Sequence, residues 1–346
     1  FQAEDGIRDV ERSRGLGDVY KRQPLIEEDI VNTLIEKQKV TLDTLLYDTI
    51  NFFTYIDSAN KRCSLAQRGK NKQKRMDLRQ FGLLLLVSRK QQLPLFHKLY
   101  QGNLTDRTIF KEQFKQILNR FKAISASLED ITLIFEQGNN LKKLLKRVST
   151  NIHFVGAVSP SHHKALIEQA NKSMRAVSVN GNTIDCYRVR TEIWHLDLTA
   201  VVYISEKLRQ DQIRGIEQSI KRLFCKLNWL KEKIKVPTKR GRKRKKKSLE
   251  DKITSLIASY TPFGLIGWSL HPLIGDAFEL DFWVDKKEFD LLKEQWLGRR
   301  ILITNHHQWS TQGIISAYHG QSHVEWAFKT IKNPFHLALR LSLIHI

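Results

Sequence analysis

The order of short apolar segments in the first half of the chain constrains the fold most strongly. Each strand-like segment is rich in branched or aromatic residues and is bounded by polar or glycine-containing turns. Two other segments repeat apolar side chains at helical spacing. Strands are predicted at 40–47, 81–88, 93–100, 130–135 and 153–158, and helices at 108–124 and 141–148. The predicted order is therefore β-β-β-α-β-α-β.

The pattern changes after residue 159. Strands are predicted at 187–190, 198–204 and 300–304, an amphipathic helix at 206–235 and a last helix at 311–331. Pro237 ends the long helix, and the run Lys239–Lys247 has too many like charges to pack. We therefore predict an α/β fold in which an inserted mixed α+β lobe, 159–298, separates the first part of a core, 24–158, from its last part, 299–340.

The two ends of the sequence match each other in an unusual way. The codons GAT GTG TAT AAG AGA CAG encode residues 18–23, and their reverse complement encodes residues 341–346. Unrelated ends of a gene have no reason to be complementary, and both ends resemble translated sequencing-library adapters. We therefore expect 1–23 and 341–346 to be an artefact that is not part of the protein.

The charge of the chain indicates an anionic partner. Lys and Arg number 58 against 36 acids, which gives a net charge of +22. Phosphate backbones are the usual partner for such an excess, although ribosomal and membrane-surface proteins share it. No apolar run approaches the ~20 residues of a membrane span. The three cysteines are widely spaced, which predicts a reducing compartment and no zinc site.

Three acids stand where two-metal phosphoryl chemistry would need them. Asp48 follows the first predicted strand, Glu136 ends the fourth and Glu325 lies on the last helix. The element order is that of ribonuclease H-like nucleases, in which carboxylates from separate strands converge on metal ions. Hard divalent cations take oxygen ligands, so these acids predict a site for two Mg²⁺ ions, with Mn²⁺ as an alternative.

The last predicted helix carries a more specific motif. It fits the pattern Y-x2-R-x3-E-x6-K, with Tyr318, Glu325 and Lys332 matching and Gln321 where Arg is usual. On this motif the chain resembles the DDE transposases of bacterial insertion sequences. Segments 48–53, 65–72 and 153–156 resemble the same group. In that group the second acid is normally Asp, whereas this chain has Glu136.

The resemblance implies Mg²⁺-dependent cleavage of transposon ends and strand transfer into target DNA by Asp48, Glu136 and Glu325. It also implies a double-stranded DNA partner, a homodimer that pairs two ends, no membrane, and a bacterial cytoplasm. The side chains expected to contact DNA are those of the last helix and of the basic loop between the first two strands, namely Tyr318, Gln321, Lys332, Arg68, Lys70 and Lys72.

Two alternatives remain open at this point. Glutamate has one methylene more than aspartate, and catalytic groups tolerate only about 0.5 Å of displacement. Glu136 therefore also suits a catalytically inactive transposase remnant that still binds DNA. The second alternative is a ribonuclease H-like nuclease outside transposition, which would cut without specific transposon ends.

Overall fold

We describe a computed structural model of the chain. It describes residues 22, 25–57, 59–60, 63–71, 74–124, 131–136, 142–150, 152–238, 243–261 and 264–332. Lys72 and most of the two expected adapter segments lie outside the described residues. The chain forms two compact units. The first unit is drawn from 1–158, 190–200 and 302–346, and the second from 159–189 and 201–301.

The predicted β-β-β-α-β-α-β order is present. A helix at 25–38 (α1) precedes it. The elements that follow are β1 (Thr44–Thr54), β2 (Arg79–Ser88), β3 (Pro94–Gln101), α2 (Asp106–Ile124), β4 (Thr132–Phe135), α3 (Lys142–Ser149) and β5 (His153–Val158). The bounds of β5 agree with the prediction, and those of β2, β3, β4, α2 and α3 differ from it by one or two residues.

The later elements are more numerous than the sequence predicted. They are α4 (Lys164–Ser173), β6 (Arg175–Val179), β7 (Asn182–Ile193), β8 (Leu196–Ile204), α5 (Glu206–Lys235), α6 (Lys246–Tyr260), β9 (Ile266–Pro272), β10 (Phe278–Val284), α7 (Lys286–Gln295), β11 (Arg299–Thr304), α8 (Thr311–His319) and α9 (Ser322–Lys332). The bounds of α5 are those predicted, because Ser205 caps its first turn and the chain reaches Pro237 just beyond its end.

A large mixed sheet confirms the α/β class. Its strand order is β3-β2-β1-β4-β5-β11-β8-β7-β6, and β9 and β10 form a separate antiparallel pair. Strand β1 is antiparallel to β2 and parallel to β4, and β4 is parallel to β5. Strands β1, β4 and β5 therefore end on the same side of the sheet.

Aromatic side chains attach α2 to one face of this sheet. Phe110 of α2 is fully buried, and its ring centroid lies 4.5 Å from that of Tyr47 and 5.4 Å from that of Phe135. Tyr47 and Phe135 are register partners on β1 and β4, so both point to the α2 face. Residues that alternate with them, including position 48, point to the opposite face.

The second unit has its own core. The apolar side of α5 packs against α6 and against the β9–β10 pair. The buried side chains are Ile220, Leu223, Leu227, Leu230, Ile234, Leu249, Ile253, Ile257, Ile266, Leu270, Phe278 and Leu280. This side of α5 is the amphipathic stripe that the sequence predicted.

Strand β1 is longer than predicted, which corrects the position of Asp48. It continues to Thr54 because each residue from Leu45 onward pairs with β2, ending at Thr54 opposite Arg79. Asp48 therefore lies inside β1 and does not follow it. The parallel partner β4 ends earlier, after Phe135.

The predicted last helix is in fact two helices. Helix α8 ends at His319 and α9 begins at Ser322, so the prediction that Tyr318 and Gln321 lie on the Glu325 helix is wrong. Gly320 caps α8, and a Cβ at this glycine would lie 3.0 Å from Ala317 O and 3.1 Å from Arg89 Nε. This close approach of Arg89, from a distant part of the chain, accompanies the break.

Candidate functional site

Asp48 and Glu136 occupy neighbouring positions on parallel strands. The last register pair of β1 and β4 is Tyr47 with Phe135, and Asp48 and Glu136 are the residues that follow them. Adjacent strands lie ~4.8 Å apart, so both carboxylates leave the sheet from adjacent points. Because Tyr47 points to α2, Asp48, the next residue of β1, points to the opposite face, and Glu136 comes directly after the last residue of β4.

Both acids are half-buried. Asp48 Oδ1 accepts a hydrogen bond of 2.8 Å from the backbone N–H of Thr49, which restrains this carboxylate close to the strand. A pair of hard oxygen donors at one edge of a sheet is a suitable start for a Mg²⁺ site.

Helix α9 lies on the Asp48 face of β1. Lys332 Nζ is 5.2 Å from the ring centroid of Phe52, which points to the same face as Asp48 because it is four residues further along the strand. At the other end of α9, His323 Nδ1 lies 3.3 Å from Arg89 O, and Arg89 N donates to Thr44 O at 3.0 Å. The helix therefore runs in the same general direction as β1, with Glu325 in its first turn.

The Glu325 side chain is exposed, whereas its neighbours Val324 and Phe328 are buried. Within the part of the chain that the structure describes, no three His, Cys, Asp or Glu side chains are close enough to hold a metal ion. The three acids have the chemistry of Mg²⁺ ligands, but their side chains are not gathered into one metal site among the described residues. The structure brings Asp48 and Glu136 together and does not gather Glu325 with them.

The other motif residues differ in exposure. Tyr318 and Gln321 are only 7% and 8% exposed, so neither side chain faces solvent. Gln321 Nε2 is buried and has no hydrogen-bond acceptor among the described residues. Lys332 stands over Phe52, and desolvation lowers its pKa. Lys332 is thus the member of this set best placed to meet a phosphate.

Arg89 was not singled out by the sequence. Its guanidinium Nη2 donates to Ser316 O at 3.0 Å and to Ser316 Oγ at 2.8 Å. It ties the end of β2 to α8, next to the break that precedes α9. A lone arginine in a β-turn gives no signal of this role in the sequence.

The basic loop between β1 and β2 presents two of its three predicted residues on the surface. Arg68 and Lys70 are exposed. Between them, Gly69 lies so close to another segment that a Cβ there would be 2.1 Å from Gly102 O. The glycine lets this part of the loop pack tightly while the cations on either side of it stay in solvent.

Arg79 organises the base of the same loop. It is 8% exposed, and its guanidinium donates to four backbone carbonyls: Ala66 O at 2.6 Å, Asn60 O at 2.8 Å, Cys63 O at 2.9 Å and Asp57 O at 3.0 Å. A buried charge is stabilised only when its hydrogen bonds are satisfied, and these carbonyls supply them. The planar fork of arginine reaches several acceptors that a lysine ammonium cannot.

We expect Arg79→Lys to loosen this loop while keeping the charge. Hydrogen bonds to charged groups contribute about 1.5–3 kcal/mol each, and lysine cannot reproduce the fork. Limited proteolysis should cut within 57–71 at least about tenfold faster than in the wild type. Arg75→Lys is the matched control, because Arg75 is exposed and pairs with Asp77. Equal cleavage rates in Arg79→Lys and Arg75→Lys would contradict the role of Arg79.

A histidine cluster lies at the other end of β5. His306 stacks between His153 at 4.1 Å and Trp309 at 4.8 Å, measured between ring centroids. Burial, then the proximity of His153 and His307, lowers the pKa of His306 to about 4, so this imidazole is neutral at neutral pH. His306 lies in the loop that follows β11, and its ring contacts give it a packing role there.

Comparisons with known proteins give little further information. No protein-family model matches the chain, and no curated protein matches it. Part of the chain is similar to a solved structure titled as a cryo-EM structure of the piggyBac transposase synaptic complex with hairpin DNA. The identity is 17%, the TM-score is 0.29, and the match covers 54% of this chain and 37% of that one. The chain thus spans little more than a third of that protein.

Proposed function

We propose that this chain is the catalytic part of a DNA transposase that cleaves transposon ends and joins them to target DNA. The observation that carries the proposal is that Asp48 and Glu136 directly follow the register partners Tyr47 and Phe135 of two parallel strands, while Lys332 of α9 lies over Phe52 of β1. The reaction is inferred from the Tyr318–Lys332 motif, which resembles that of insertion-sequence DDE transposases. The ribonuclease H-like class of the core belongs to the same proposal.

In this proposal Asp48, Glu136 and Glu325 hold two Mg²⁺ ions, or Mn²⁺ in their place. Bound there, the ions would stabilise the charge on the attacking and leaving oxygens of a phosphodiester. Asp48 and Glu136 are fixed by the sheet, whereas Glu325 is an exposed side chain that completes the set when α9 and DNA are engaged. Because Glu325 lies on the separate helix α9, its carboxylate suits a metal site that is completed only when DNA binds.

The protein's cations would position the DNA. Lys332 is held over Phe52 at the end of α9, and Arg68 and Lys70 extend from the loop that Arg79 organises. In the proposal, the cations of α9 and of this loop hold a phosphate backbone in line with the acid pair. Tyr318 and Gln321 are buried, so their part is to support the α8–α9 junction. Pairing of two ends by a homodimer, in a bacterial cytoplasm, completes the proposal.

A catalytically inactive DNA-binding remnant is the second candidate, because Glu136 stands where the resembled group has Asp. Glu136→Asp distinguishes the two. If the extra methylene displaces the carboxylate, the variant should nick supercoiled plasmid in Mg²⁺ at least about tenfold faster than the wild type. Glu168→Asp, an exposed acid on α4, is the matched control.

The outcome assigns the function of this position. A gain of activity in Glu136→Asp supports the remnant, and a loss supports an active enzyme adapted to glutamate. Unchanged nicking shows that Glu136 is not a ligand. An enzyme that nicks any duplex equally, with no preference for transposon ends, would instead be a nuclease outside transposition.

A further inference from the structure

The second unit contains a dense segment of positive charge that the proposed acid site does not use. Between Lys221 and Lys247 the sequence has fourteen Lys or Arg residues and one acid, Glu232. More than half of the net charge of +22 therefore lies in 27 residues. Such a concentration costs self-repulsion in the folded protein, and an anionic partner would remove that cost.

Part of this charge forms a row on α5. Arg222, Lys226, Trp229 and Lys233 are all exposed and recur at i, i+4, i+7 and i+11, so they share one side of the helix. The row extends over about 16 Å at 1.5 Å per residue. Trp229 is 62% exposed, and Lys233 Nζ lies 4.7 Å from its ring centroid.

Asp276 holds the two ends of the segment that links α5 to α6. This carboxylate is 7% exposed and accepts from Thr238 N at 2.8 Å, Thr238 Oγ1 at 2.5 Å and Arg244 N at 3.1 Å. These hydrogen bonds, that of the Thr238 hydroxyl first, hold the pKa of Asp276 far below its usual range. Asp276 is therefore ionised at every physiological pH.

The Arg244 side chain completes this arrangement. It donates to Val236 O at 2.8 Å, to Lys233 O at 3.0 Å and to Ile234 O at 3.3 Å, which are terminal carbonyls of α5. Arg244 is thus used to fold the chain back on the helix. Its neighbours Lys243 and Lys245 are exposed and are held beside the end of α5.

We propose that Arg222, Lys226, Trp229, Lys233, Lys243 and Lys245 form a basic face that binds the phosphate backbone of double-stranded DNA, with Asp276 as its positioning residue. A row of cations about 16 Å long faces several phosphates of a duplex, which carries one charge per ~1.7 Å. A bilayer fits less well, because a helix that lies in a membrane surface inserts an apolar face, and the apolar face of α5 is buried in the core of the second unit. The proposal rests on the proposed function only in naming duplex DNA as the polyanion.

The first test neutralises the row. The full chain with Arg222, Lys226 and Lys233 each changed to Gln is titrated against a fluorescent 30-base-pair duplex at several salt concentrations. Loss of three phosphate contacts should weaken binding about tenfold or more and lower the slope of log affinity against log salt by about 2–3. The control changes Lys111, Lys115 and Lys122, exposed lysines of α2, and should bind within twofold of wild type.

The second test uses the sign of a charge change. Asp276→Asn makes the protein more positive, so non-specific attraction alone predicts tighter binding. If Asp276 positions the cations, the variant should bind about threefold to tenfold more weakly, since an amide nitrogen cannot accept from Thr238 or Arg244. Thr238→Val removes one of the same hydrogen bonds without changing the charge and should shift binding in the same direction. Circular dichroism of both variants confirms that they fold.

Three results would overturn the proposal. They are wild-type affinity and salt slope in the triple variant, tighter binding by Asp276→Asn, and binding to vesicles with 30% phosphatidylserine in place of the duplex. Failure of the proposed function is a separate result. If Mg²⁺-dependent nicking is never found while the triple variant loses DNA binding, the basic face stands and the transposase assignment does not.

Discussion

Glu325→Gln should abolish Mg²⁺-dependent nicking of supercoiled plasmid while leaving DNA binding intact. Gln keeps the size of the side chain and removes the anionic oxygen that a hard cation needs. Metal stabilisation of transition-state charge is worth several kcal/mol, so a loss of about 10²–10³-fold in rate is expected. Asp48→Asn should cause a loss of the same size, because in the proposal Asp48 is a ligand of the same metal ions.

A matched control separates metal binding from charge. Glu168→Gln makes the same chemical change on α4 and should leave the nicking rate within twofold of wild type. Gel shifts with labelled duplex monitor binding by each variant. If Glu325→Gln nicks plasmid at the wild-type rate, Glu325 is not a metal ligand and the transposase assignment loses its main residue.

Phe110→Ala should give the largest loss of stability in the first unit. The ring is fully buried between Tyr47 and Phe135, and its centroid is 5.8 Å from that of Phe114. Removing a buried Phe costs about 3–5 kcal/mol, from lost transfer energy and from the cavity that is left. Urea unfolding followed by circular dichroism should show this as a lower midpoint with the slope unchanged.

Two variants calibrate this effect. Phe110→Leu keeps most of the volume and should cost less than half as much. Tyr55→Ala removes an aromatic side chain that is 88% exposed and should cost less than about 0.5 kcal/mol. A loss below 1 kcal/mol for Phe110→Ala would show that α2 does not cover the Tyr47 face. The assignment of Asp48 to the opposite face would then lose its basis.

Local signals in the sequence were enough to locate most elements. Helix α5 was predicted at its observed bounds because its apolar stripe and the proline that follows it are local patterns, and in the structure Ser205 caps its first turn. Strand β5 and the succession of the first seven elements were predicted for the same reason. The smaller elements of the second unit, such as α4 and the β9–β10 pair, were missed because their patterns are short.

Where the prediction was wrong, a distant partner decided the structure. Residues 311–331 have continuous helical spacing, and the break at Gly320 lies against Arg89, more than two hundred residues earlier in the chain. Strand β1 extends past Asp48 because β2 offers backbone partners as far as Arg79. The pairing with β2 leaves no pattern within a short window of sequence, whereas Gly320 is itself a local signal for a helix end that the prediction did not use.

In the candidate site, too, the sequence determined some features and the tertiary structure determined others. The sequence by itself determined the types of residue, since the acids Asp48, Glu136 and Glu325, the basic excess and the Tyr318–Lys332 spacing are properties of the chain. Only the tertiary structure decided that Asp48 and Glu136 are neighbours, that Tyr318 and Gln321 are buried, and that Arg79 and Asp276 hold basic segments in place. The physical reason is that strand register, burial and hydrogen bonding depend on partners that are far apart in sequence and meet only when the chain folds.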